Sequence, residues 1–108
     1  MNVEQLITAA NLNPISLPCP EREVEGAYIG DLLSWVMGKA NENDAWITIM
    51  SNVNVVAVAS LADVACVIFA EGVEPDEQAK TRAVNEGINL ISSRLAAYEL
   101  SLKLSALI

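Results

Sequence analysis

The chain of 108 residues contains no histidine, and that absence removes the commonest general base and the commonest metal ligand together. Cysteine is almost as scarce, with Cys19 and Cys66 alone. Without histidine, two thiols from one chain cannot close a tetrahedral zinc site or supply the four ligands of an iron–sulfur cluster. A lone pair at this spacing is no disulfide framework either, and suits a reducing, cytoplasmic setting. Basic side chains are few: Arg22, Lys39, Lys80, Arg82, Arg94 and Lys103 stand apart along the chain against 14 acidic residues, for a net charge of −8. Such a surface repels phosphate backbones, so no nucleic-acid partner is expected.

Long apolar runs are missing too. Nothing approaches the roughly 18 unbroken apolar residues that suggest a membrane span, so no membrane partner is expected. The opening Met1–Gln5 lacks the basic stretch and apolar run of a secretory signal, and a cytoplasmic location follows as the expectation. The glycine-rich dinucleotide fingerprint and the Walker phosphate loop are both absent. No Ser–His pair can form. A carboxylate-only arrangement such as Asp31 with Glu71 remains, but carboxylates beside loops more often serve as caps or solvated charge. The expectation is a non-enzyme with no cofactor.

Apolar residues, in contrast, are plentiful at 53%. A domain of this size leaves a large share of its residues at the surface. Some apolar surface is therefore expected to be covered by a second copy or another protein, a homodimer being the leading form.

Periodicity divides the chain into alternating elements. Val3, Leu6, Ile7 and Ala10 recur at helical spacing. Asn13–Pro18 is too rich in proline for a helix and reads as a short edge strand. Glu23–Ile29 reads as a second strand. Asp31 is then expected to cap a helix that buries Leu32, Leu33, Val36 and Met37. Ala45–Met50, with β-branched and aromatic residues, is the clearest strand. Val53–Leu61 mixes valines that suit a strand with alanines that suit a helix; the small residues at 57, 59 and 62 and a cap from Ser51 or Asn52 favour helix. Val64–Phe69 reads as a strand buried on both faces, with Cys66 an inert thiol inside it. A helix over Asp76–Glu86 stops at Gly87. Ile88–Ile91 is a strand, Ser92-Ser93 a cap, and Arg94–Leu107 the last helix. Strands alternating with helices imply one α/β domain over residues 1–108, a mainly parallel sheet flanked by helices.

In such sheets ligands gather at the carboxyl ends of the strands. Asp31, Ser51, Asn52 and Gly72 are the ligand-binding candidates there, although helix capping accounts for most of them without any ligand. The apolar line Leu95, Tyr98, Leu102 on the last helix is the candidate subunit interface. Cys19, flanked by Pro18 and Pro20, is the thiol open to a redox or metal accessory role.

The residues from Glu21 onward resemble the DRTGG domain family. The matching segments are Arg22–Tyr28, Gly30–Met37, Asp44–Ile49, Asn54–Leu61, Glu74–Glu77 and Glu86–Ile88, in order along most of the chain, with Asn54–Leu61 the most specific. Glu21-Arg22 replaces the family's Asp-Arg pair, and Ala70-Glu71-Gly72 stands where relatives often carry Thr-Gly-Gly. The resemblance implies a fold like the N-terminal domain of HPr kinase/phosphorylase. It also implies a regulatory or association role, since relatives are fused to phosphotransacetylases and CBS-domain pyrophosphatases. Stand-alone relatives of anaerobic bacteria, some encoded near iron-only hydrogenases, point to a hydrogenase-linked partner system. Three functional readings follow: a homo-oligomeric regulatory module, a nucleotide or metabolite sensor using the strand-end loops, and a redox or metal accessory protein acting through Cys19.

Overall fold

The computed structural model describes all residues from Met1 to Ile108. Ten elements follow one another: α1 (Val3–Ala10), β1 (Asn13–Ser16), β2 (Gly26–Ile29), α2 (Leu33–Lys39), β3 (Asp44–Thr48), α3 (Val53–Ala62), β4 (Cys66–Phe69), α4 (Glu77–Glu86), β5 (Leu90–Ser92) and α5 (Ala97–Ser105). The strands form one sheet in the order β1-β5-β4-β3-β2. The four strands β2 to β5 run parallel, and only β1 pairs antiparallel, at the edge against β5.

Helices cover both faces, which is why β3 and β4 are buried at every position. On one face α1 and α5 set Val3, Leu6, Leu100 and Leu104 against Ile47, Cys66, Ile68 and Ile91. On the other, α2, α3 and α4 set Val36, Val55, Val56, Ala79 and Ala83 against Trp46, Val67, Phe69 and Leu90. Alternate residues of each strand serve opposite cores, as the pleat requires. Trp46 is fully buried, and its indole Nε1 donates to Gly30 O at 2.8 Å.

The helix ends follow from side-chain chemistry. Asn2 and Gln5 form a reciprocal capping box on α1, Asn52 caps α3, and Asp76 caps α4 through Ala79 N. The helices α1, α3 and α4 all close on a left-handed residue: Asn11, Asp63 and Gly87. The segment 53–62 is helix because it is capped and because its small residues allow it to lie against both the sheet and its neighbours.

Several expected features come out differently. Asp31 does not cap α2: the N-cap is Leu32, which makes no side-chain cap bond. Of the expected apolar stripe on that helix, Val36 is buried while Leu32 and Met37 are exposed, because this single short helix lies at the sheet's edge. β3 stops at Thr48, since Thr48 Oγ1 accepts from Met50 N and Asp31 Oδ1 takes the Ile49 N–H. β5 begins at Leu90, because the Ile88 N–H is still engaged with Ala83 O in closing α4. Finally, α5 starts at Ala97 instead of Arg94. Ser93 Oγ accepts from Leu95 N, and the carbonyls of Ser93 and Leu95 accept from Gly72 N and Glu71 N.

Candidate functional site

The carboxyl ends of the parallel strands lie along one edge of the sheet, and the four proposed ligand residues are distributed along it. Asp31 is engaged: its Oδ1 accepts from Thr48 Oγ1 at 2.8 Å and from Ile49 N at 2.9 Å, tying the end of β2 to the end of β3. Asn52 Oδ1 accepts from Asn54 N, and Ser51 O accepts from Asp76 N. Gly72 lies two strands away from Asp31, beyond the end of β4.

The loops after β4 and β5 diverge to opposite faces, one leading to α4 and the other to α5. Open α/β sheets form ligand crevices where connections divide in this way. Here a cleft of about 440 Å³ opens beside them, lined by Asn13, Gly72, Glu74, Ser92, Ser93 and Arg94 among others. A second hollow of about 250 Å³ shares Asn13, Ser93 and Arg94 and adds Lys103. Glu71 and Gly72, in the loop bordering the cleft, both adopt left-handed backbone, with φ of 58° and 73°. A Gly-Gly pair adopts that geometry without strain. This is a physical reason for glycines where the DRTGG pattern has Thr-Gly-Gly.

The opposite, amino-terminal edge of the sheet carries the Arg of the resemblance. Arg22 donates to Asn43 Oδ1 from Nε at 3.1 Å and from Nη2 at 3.0 Å, and pairs with Asp63 Oδ1 at 2.8 Å. Asn43 and Asp63, both in left-handed backbone, precede β3 and β4. Arg22 thus acts as a clamp far from the strand-end loops. Close by, Asn89, buried, accepts from Cys19 N through Oδ1 and donates through Nδ2 to Cys19 O and Ala65 O. The backbone of the proline-flanked loop at Cys19 is fixed this way.

Cys66 is completely buried, and loss of solvation pushes its thiol up to about 12, against a smaller downward pull from Arg22. No group of three or more Cys, Asp and Glu side chains is arranged to hold a metal ion. No helix is long and apolar enough to cross a membrane.

The third notable surface borders the other end of the sheet. Edge strand β2 leaves Ile29 48% exposed, and α2 beside it exposes Trp35 at 57%, with Lys39 Nζ 3.9 Å from the ring centroid. A groove of about 370 Å³ separates β2 from α5, lined by Ala27, Ile29, Ser101, Leu104, Ser105 and Ile108 among others. Leu95 falls before α5, where it packs partly against the core, so it is not on one helical line with Tyr98 and Leu102. Those two face outward from α5 at 72% and 53% exposure. The sequence pattern drew attention to Tyr98 and Leu102, whose exposure is a matter of helical spacing. It could not identify the β2 edge, because strand order is decided by pairing across the chain.

No family model matches the chain, and no curated protein matches it. Among solved structures it is similar to the CBS and DRTGG domains of the regulatory region of a Clostridium perfringens pyrophosphatase, solved with the activator diadenosine tetraphosphate. The TM-score is 0.72 at 14% identity; the match covers 95% of this chain and 45% of that one. The chain therefore has a DRTGG-like fold and spans less than half of the chain it matches.

Proposed function

We propose that this domain is a non-catalytic regulatory module that works as a homodimer and acts on a partner enzyme. The observation that carries the reading is the unprotected apolar edge formed by β2, α2 and α5. Strand edges that stay single are usually guarded by Lys, Pro or a bulge, and Gly26-Ala27-Tyr28-Ile29 has none of these. Exposed Ile29, Trp35, Tyr98 and Leu102 flank it. A twofold pairing of β2 with its copy satisfies the open backbone groups and covers these side chains in one isologous contact. Similarity in fold to part of a pyrophosphatase regulatory region supports the regulatory half of the reading. The resemblance makes an iron-only hydrogenase system of an anaerobic bacterium the first partner system to examine.

The test is size-exclusion chromatography with light scattering on the wild type, Leu102→Glu and Ile29→Glu. A wild-type dimer that both charges convert to a folded monomer is the expected result. A wild type that stays monomeric at micromolar concentration, or a dimer indifferent to both charges, overturns this assembly.

A further inference from the structure

The geometry points to a second functional surface, independent of the dimer edge: the cleft at the ends of β4 and β5 binds a small ligand through a single anionic group, a phosphate monoester or a carboxylate, held by Arg94, Ser92 and Asn13. Every other basic side chain is committed. Arg22 pairs with Asp63, Lys80 with Glu77 and Arg82 with Glu86; Lys39 lies over Trp35, and Lys103 donates to Ala10 O. Arg94, exposed at the cleft mouth and shared with the adjoining hollow, has no such partner. In a chain of net charge −8 an uncommitted guanidinium in a concave site is the natural place for an anion.

The second observation is Ser92. It is only 6% exposed, yet its hydroxyl makes no hydrogen bond within the protein, and it lines the cleft. No fully enclosed side-chain polar atom in the chain lacks a partner, so the Ser92 Oγ must reach the opening. A nearly buried hydroxyl without a protein partner is offered to whatever fills the cleft. Asn13 adds a carboxamide that is likewise unengaged. Ser93 Oγ accepts from Leu95 N and keeps its own proton to donate. Each of these lining groups has a proton to donate to an anionic oxygen.

Glu74, on the opposite lip, limits the charge that fits. It repels a polyphosphate and accepts from a hydroxyl or amino group on the same ligand. The site therefore selects one anionic head with a donor-bearing body.

Amide chemical shifts of the labelled protein, titrated with inorganic phosphate, acetate and ribose 5-phosphate at constant ionic strength, test this directly. Saturable shifts are expected at Asn13, Gly72 and Ser92–Leu95. Arg94→Ala should weaken binding about tenfold or more and Ser92→Ala about fivefold, as expected for charged and neutral hydrogen bonds. Response to phosphates alone identifies a phosphate ligand; response to acetate as well extends the class to carboxylates. Shifts spread over the surface, shifts unchanged in Arg94→Ala, or no saturation at millimolar concentrations each overturn the assignment. Arg94 is exposed, so its variant folds, and the wild-type spectrum serves as the check.

Discussion

Arg22 and Asp63 meet at 2.8 Å across the amino-terminal edge of the sheet, and the same guanidinium holds Asn43. One side chain thereby secures the two left-handed turns that launch β3 and β4. The pair is partly open to water, so Coulomb attraction alone contributes little; the hydrogen bonds to Asn43 and to the Asp63 carbonyl supply the remainder. Arg22→Ala should lower unfolding free energy by about 1–2 kcal/mol in a urea titration. Arg22→Lys should recover only part of this, because an ammonium cannot reproduce the planar fork.

Glu71 occupies a left-handed conformation, at φ 58°, that costs a side chain with a Cβ about 1 kcal/mol. Glu71→Gly removes that strain while adding freedom to the unfolded chain. The net expectation is a slightly raised melting temperature, whereas Gly72→Ala, at φ 73°, should lower it. Thermal unfolding of the two variants beside the wild type decides the matter.

Asn89 satisfies three backbone groups from within the core. Asn89→Ala strands the Cys19 N–H and the Ala65 carbonyl, and should cost about 2–3 kcal/mol in chemical denaturation. It should also release the Cys19 loop, seen as faster modification of that thiol by a disulfide reagent.

Cys66 makes stability fall in alkali. In the unfolded chain its thiol ionises near 9.0, whereas in the fold it stays protonated up to about 12. The folded state then binds more protons, so the contribution of Cys66 is fully present below about pH 9.0 and is lost as pH rises toward about 12. The stability gap between wild type and Cys66→Ala should therefore narrow across that window. A gap that stays constant through it would contradict the burial of the thiol.

Local chemistry was enough to specify the elements. The 3.6-residue spacing of Val3, Leu6 and Ala10, the unbroken apolar run at Cys66–Phe69 and the stop at Gly87 each act within a few residues. Asn52 likewise supports the helix over Val53–Ala62, and strands alternating with helices imply a mainly parallel layered sheet. Tertiary structure decided where polar side chains are spent. Asp31 reads as a cap, yet it binds Thr48 and Ile49 across the strand ends. Arg22 and Asn89 carry no local pattern, because their partners lie 21 to 70 residues away. Strand order was also beyond local reading, so neither the exposed β2 edge nor the meeting of Asn13, Ser92 and Arg94 could be foreseen. Periodicity records which face of an element is buried. It is silent on which distant segment completes that face, and both candidate surfaces are made by such distant segments.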